Sequence, residues 1–257
     1  MIAGRATRRM PEMGAILILG ATSTIARAMA GELAAGGRNL MLVGRDLDEL
    51  DAISRDLTIR HGVATSIHHI ELLDLDSHAR VIRDCLSSAT TSVEGVVLAF
   101  GELGDQALAQ RDPGERRRML ETNFTACASV LELLAGYLES RGEGWICALT
   151  SVAGDRGRQS NYVYGAAKAG LTTYLQGLRN RLYRRGVHVV TVKLGIVDTQ
   201  MTFGIPLPVA ADPRQVARSI VRAIHSRRDV VYVPGIWRWI MLGIRGIPER
   251  FFKRMRL

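Results

Sequence analysis

Tyr164 and Lys168 stand four residues apart in Tyr-Gly-Ala-Ala-Lys, a separation that brings both side chains to one face of a helix. A phenol alone exchanges protons poorly near neutral pH. An ammonium on the same face stabilises the phenolate and brings proton transfer within reach. Ser151 lies thirteen residues before the tyrosine, in Thr150-Ser-Val-Ala-Gly154, and offers a hydroxyl to a carbonyl oxygen on which charge develops. Together the three groups suit the interconversion of a ketone and an alcohol, given a source of hydride.

Two earlier segments suit a nucleotide. Gly20-Ala-Thr-Ser-Thr-Ile-Ala26 joins an apolar run to a helical pattern. Gly20 permits a tight turn, the helix start presents N–H groups and a positive dipole end to a pyrophosphate, and Thr22, Ser23 and Thr24 add hydroxyl donors. The same residues also read as an ordinary helix cap. At the end of the second apolar run stands Gly44-Arg45, where a dinucleotide fold selecting NAD places an acid. Arg45 instead offers a guanidinium to a 2′-phosphate, which favours NADP(H) over NAD(H); its other reading is a surface arginine.

The elements needed to position these groups follow from the periodicity. Strands are expected at Ala15–Gly20, Asn39–Val43, Thr65–Leu72, Val93–Phe100, Trp145–Thr150, Val187–Leu194 and Val230–Val233. Helices are expected at Ile25–Ala35, Leu47–Arg60, Ser77–Ser88, Pro113–Ser140, Tyr162–Arg185 and Pro213–Ser226. Alternation of this kind means βαβ units, so the expected fold is α/β: a Rossmann-like, doubly wound, mainly parallel seven-stranded sheet with helices on both faces. Its 257 residues would also allow two small domains, but no linker or internal repeat divides them. The expected organisation is a disordered basic segment at 1–13, an oxidoreductase domain at 14–234 and a basic aromatic segment at 235–257.

In order and spacing, residues Ala15–Val233 resemble the short-chain dehydrogenase/reductase family. The resemblance implies a carbonyl-binding Ser151, a proton-transferring Tyr164, and a Lys168 that eases ionisation of the tyrosine and holds the nicotinamide ribose. Asn123, in Glu-Thr-Asn-Phe-Thr-Ala, matches an asparagine that keeps a relay water. The implied cofactor wall comprises Gly20, Thr22, Ser23, Thr24, Ile25, Arg45, Asp74, Leu75, Ala99, Gly101, Tyr164, Lys168, Gly195, Val197 and Thr199. Asp74 matches the acid beside adenine, and Thr199 a contact near the nicotinamide end. Thr24 and Ala26 replace two family glycines, Leu98-Ala-Phe-Gly101 replaces Asn-Asn-Ala-Gly, and Leu194-Gly195 replaces Pro-Gly. These departures bear on the cofactor loop, while the four catalytic positions are intact. A homodimer or homotetramer through helices 113–140 and 162–185 is also implied.

The net charge of +9 is concentrated toward the two ends: +2 in residues 1–13 and +5 in residues 238–257, leaving +2 between them. That distribution suits an acidic membrane surface, or solvated tails, better than a nucleic-acid groove through the body. No basic-aromatic strand pattern points to nucleic acid. Cys85, Cys127 and Cys147 are scattered, which suggests neither disulfides nor a metal site and fits a cytoplasmic protein. In Gly235–Leu257, aromatic and aliphatic residues interleave with arginine and lysine around Pro248. The segment reads either as an interfacial element at the inner face of the plasma membrane or as a helix folded over the site.

A narrower resemblance, to the decaprenylphosphoryl-2-keto-ribose reductases, rests on Ala99–Asp105, Asn161–Gly165, Lys168–Leu171 and the tail from Arg245. It implies a polyprenyl-phosphate-linked 2-keto-pentose substrate in cell-wall glycan precursor synthesis, with a flavin oxidase as partner. The competing expectations are a reductase of acyl-chain or other hydrophobic carbonyls and a non-catalytic NADPH-binding regulator.

Overall fold

Alternating side-chain direction along fully buried strands decides the architecture. In β1 (Ala15–Leu19), Ile16 and Ile18 join one apolar cluster while Ala15, Leu17 and Leu19 join a second. β2 (Leu40–Gly44) divides likewise, with Leu40 and Leu42 against Met41 and Val43. A sheet greasy on both sides must be covered on both sides, and it is.

A computed structural model describes residues 14–202 and 210–255. The remaining strands are β3 (Thr65–His69), β4 (Val93–Leu98), β5 (Gly144–Ser151), β6 (Val187–Leu194) and β7 (Val230–Val233). All pairings are parallel in the order β3-β2-β1-β4-β5-β6-β7. On one face lie α1 (Thr24–Ala35), α2 (Leu47–His61) and α8 (Pro213–His225); on the other lie α3 (His78–Ser88), α6 (Ala126–Arg141) and α7 (Tyr162–Tyr183). This is the Rossmann-like α/β fold expected from the periodicity. The expected disordered segment at 1–13, and Arg256 and Leu257 of the tail, lie outside the described residues.

Two elements differ from the periodic reading. The single helix expected over Pro113–Ser140 is α5 (Pro113–Leu120), a π turn at Glu121–Thr125, and α6. The π turn inserts one extra residue per turn, and it carries Asn123, which is fully buried. A short α4 (Gln106–Arg111) was not expected, because only Ala109 is buried and six residues give no legible stripe. After β7 come α9 (Trp237–Gly246) and α10 (Glu249–Phe252), separated by Pro248, which cannot continue a helix.

No helix among the described residues is long and apolar enough to cross a membrane. The three cysteines are free and buried, and burial pushes the thiols of Cys85 and Cys127 up to about 11.

Candidate active site

The strand order reverses direction between β1 and β4, so the loops after these strands part and leave a crevice at their carboxyl ends. A cleft of about 410 Å³ occupies it. Ser23, Thr24, Ile25, Ala99, Gly101, Ser151, Tyr164, Lys168, Gly195, Val197 and Thr199 line this cleft. The structure therefore brings together eleven of the expected site residues, drawn from the carboxyl ends of β1, β4, β5 and β6, the start of α1, and α7.

Lys168 sits with its Nζ 5.7 Å from the centre of the Tyr164 ring, as four-residue helical spacing requires. It is only 3% exposed, has no carboxylate partner among the described residues, and donates one hydrogen bond, to the Phe100 carbonyl at 3.3 Å. An ammonium has three N–H bonds, so two remain for oxygen atoms in the cleft. Ser151 Oγ accepts from the Ala153 amide at 3.1 Å, which fixes the oxygen and leaves its O–H to donate. Ser151 thereby starts the tight turn Val152–Gly154, whose Gly154 lies too close to the α7 backbone for a Cβ, at 2.7 Å from Ala169 N.

Asn123 lies beneath the cleft and does not line it. Its Nδ2 donates to the carbonyls of Glu102 and Met119, both at 2.9 Å, and its Oδ1 accepts from the Glu102 amide at 3.2 Å. One Oδ1 lone pair remains. The π turn thus delivers an amide that clamps the loop after β4. Arg118 holds the same loop by pairing with Glu102 and Glu115, and its hydrogen bonds keep the Glu115 carboxyl below the usual carboxylate range. Gly101 is the point where these parts converge. A Cβ there would stand 2.8 Å from Lys168 Nζ and 3.0 Å from Asn123 Oδ1.

At the other end of the cleft, Gly20 adopts a φ of +78° and closes the turn after β1. A Cβ on it would meet Ala99 and Phe100 at 3.0 Å, so the turns after β1 and β4 touch. Ser23 caps α1 by accepting from the Ala26 amide at 3.3 Å and keeps its proton for donation. The remaining expected residues do not line the cleft. Gly20 is buried behind it, and Thr22 faces a groove along the outside of α1 with Arg27 and Arg214. Arg45 is exposed just past β2 and makes no ion pair or side-chain hydrogen bond among the described residues. Asp74 and Leu75 are exposed past β3, where Asp74 begins a short 3-10 turn and its carboxylate is unengaged among the described residues. This leaves Arg45 and Asp74 available at the strand ends where a nucleotide's adenosine half would lie. A helix start, two spare ammonium donors and an unpaired guanidinium fit a dinucleotide phosphate.

The periodic reading missed a second tier of residues. Phe100, Glu102, Leu103, Leu149, Thr150, Leu194, Gln200 and Met201 also line the cleft. Asp155, one residue past the serine turn, pairs with Lys193 of β6 and accepts from Tyr232 of β7 at 2.8 Å. Arg156 reaches the C-terminal helices. It donates to the carbonyls of Ile244 and Arg245 at 3.1 Å and of Ile247 at 2.7 Å, pairs with Glu249 at 2.8 Å, and stacks on Phe252 at 3.9 Å. Those carbonyls lie at and just past the end of α9, where the Ile244 carbonyl also accepts from the Ile247 amide at 3.3 Å. The indole of Trp237 packs on Gly195, where a Cβ would fall 2.0 Å from the ring. The described part of the C-terminal segment is therefore packed behind the cleft wall at Gly195, its outer side exposed.

Arg156→Ala is expected to cost about 2–3 kcal/mol, because several hydrogen bonds to one charged group disappear together. Hydrogen-exchange mass spectrometry should show faster exchange confined to α9 and α10. Unchanged exchange there would contradict the clamp.

Residues 14–206 match the family model described as short chain dehydrogenase. An uncharacterized oxidoreductase of Mycobacterium tuberculosis is 33% identical over 249 residues, covering 96% of this chain and 99% of that one. An uncharacterized oxidoreductase of Streptomyces coelicolor is 33% identical over 241 residues, with 93% and 95% covered. Among solved structures, a short-chain dehydrogenase from Sphingobium yanoikuyae in complex with NADPH superposes with a TM-score of 0.80 at 25% identity, over 92% of this chain and 97% of that one.

Proposed function

Because the chain belongs to the short-chain dehydrogenase/reductase family of oxidoreductases, we propose that it reduces a ketone with NADPH, and that the ketone is a polyprenyl-phosphate-linked 2-keto-pentose in cell-wall glycan precursor synthesis. The observation that carries the catalytic part is the meeting of Ser151, Tyr164 and a buried, carboxylate-free Lys168 in one cleft. Bound NADPH would supply hydride to the carbonyl carbon. Ser151 and Tyr164 donate hydrogen bonds to the carbonyl oxygen, and Tyr164 passes its proton there as negative charge develops. Lys168 stabilises the phenolate left behind, with its spare N–H bonds on the ribose hydroxyls. The lone pair left on Asn123 Oδ1 holds a water beside Lys168, from which the proton is replaced.

In this reading Ser23, Thr24 and Ile25 take the pyrophosphate at the start of α1, Asp74 and Leu75 flank the adenine, and Arg45 takes the 2′-phosphate. The NADPH held by the Sphingobium yanoikuyae enzyme supports the choice of cofactor. Arg45→Asp should raise the KM for NADPH about 10- to 100-fold, since a charge-assisted contact of roughly 1.5–3 kcal/mol becomes a repulsion. The KM for NADH should fall. Initial rates with both cofactors test this, and an unchanged ratio would remove Arg45 from the phosphate site.

The lipid-linked part rests on the cleft lining, where Phe100, Leu103, Leu149, Leu194, Val197 and Met201 surround the reacting hydroxyls with apolar surface. The same reading places the enzyme in the cytoplasm at the inner face of the plasma membrane, beside a flavin oxidase that makes the keto-sugar. It is assembled as a homodimer or homotetramer through α6 and α7. The test follows NADPH absorbance with a polyprenyl-phosphoryl 2-keto-pentose. Turnover with this substrate and not with small soluble ketones supports the assignment. Turnover only with acyl-chain or other hydrophobic ketones replaces it. NADPH binding with no Tyr164-dependent turnover on any ketone makes the protein a regulator.

A further inference from the structure

Helix α9 is amphipathic in an inverted sense. Trp237, Met241 and Ile244 face the body, whereas Ile236, Trp239 and Ile240, spaced as one helical face, are exposed, with Leu242 beside them. Trp239 is 65% exposed and Leu242 62%. α10 continues the surface with exposed Phe251, and Met255 follows it. Among this apolar surface stand Arg238, Arg245, Arg250, Lys253 and Arg254, none in an ion pair among the described residues. The one acid of the segment, Glu249, is taken by Arg156. Arg238 and Arg250 lie over the neighbouring Trp239 and Phe251 rings. Aromatic and aliphatic side chains ringed by five unneutralised cations match the chemistry of an anionic bilayer surface: acyl chains below, acidic headgroups around.

We propose that α9 and α10 form a docking element that lays its outer face on an anionic membrane. Arg156 has two roles in it. It ties the element to the turn after Ser151, and it neutralises the only acid that would repel the headgroups. The helix that meets the bilayer is the one whose inner side, through Trp237, backs the cleft wall at Gly195. A ketone carried on a lipid would then be reduced beside the leaflet that holds its tail. The inference deepens the lipid-linked reading and rests on it only for the biological setting, because docking is measured without substrate.

Of the three tryptophans, Trp145 packs over Gly95 and Trp237 over Gly195, so Trp239 is the reporter. The full-length protein is sedimented with vesicles of phosphatidylcholine alone or with one third phosphatidylglycerol, and tryptophan emission is recorded. Binding that requires the anionic lipid, with a blue shift absent from Trp239→Ser, is expected. Arg250→Glu with Arg254→Glu should weaken vesicle binding at least about tenfold, as neutralised headgroup contacts turn repulsive. These three side-chain positions are exposed, so the variants keep their fold and their Kd for NADPH. Equal binding to both vesicle types, binding unchanged by the charge reversals, or capture only by an acidic protein would overturn the proposal. A docking protein that fails to reduce the lipid-linked ketone would instead sink the substrate assignment alone.

Discussion

Tyr164→Phe is expected to lower kcat for the proposed ketone reduction by about 10²–10⁴-fold, the range that a positioned proton donor contributes. The Kd for NADPH should stay within a few fold, because Lys168, the helix α1 start and Arg45 are untouched. The phenyl ring refills the same volume at a position only 8% exposed, so folding is preserved. Ser151 still donates one hydrogen bond to the carbonyl oxygen, which is why some activity above background is expected. Steady-state rates, with cofactor binding followed by fluorescence, make the comparison. A variant that keeps more than about a tenth of wild-type kcat would show that the proton comes from elsewhere.

Asp155→Asn should destabilise the protein by about 3–5 kcal/mol, the cost of stranding one partner of a buried ion pair. The side chain of Asp155 is 4% exposed and that of Lys193 10%, so water cannot replace the lost charge. Tyr232 offers no substitute. Burial first, and then its hydrogen bond to Asp155, pushes the phenol's pKa above its ordinary value, so it remains a neutral donor. Thermal denaturation should show Tm lower by roughly 10 °C for a chain of this size. The double variant Asp155→Asn with Lys193→Met should recover part of the loss, because both charges are then gone. A single-variant Tm close to wild type would mean the pair is solvated in solution.

The parts of the site legible in the sequence are those whose spacing is local. Tyr164 and Lys168 share a helix, and Gly20 through Ile25 share a turn, so periodicity alone brings each group together. The central strands were legible because both faces of a parallel sheet are buried there, leaving unbroken apolar runs such as Ala15–Leu19. The edge strands β3 and β7 are only partly buried and were read from their place in the alternation. What escaped depends on register between distant segments. Asp155 meets Lys193 because β5 and β6 pair Thr150 with Lys193 and Ser151 with Leu194, and nothing local marks that lysine as buried. Arg156 reads as one arginine among many until α9 and α10 present their carbonyls to it. The π turn at Asn123 was hidden for another reason: α5 before it buries only Met119, so no apolar stripe on that side shows the change of helical phase.

The Arg156 clamp also orders events during synthesis. Its hydrogen-bond partners lie 88 to 93 residues downstream. The turn that carries Ser151 is translated, and can be folded against α7, long before the groups that secure it exist. While Trp237 is still untranslated, Gly195 stands without its cover, and fold completion waits on β7 and the helices that follow it. Any fusion or tag that keeps α9 and α10 from seating would leave a chain with Ser151, Tyr164 and Lys168 present and an unfinished wall.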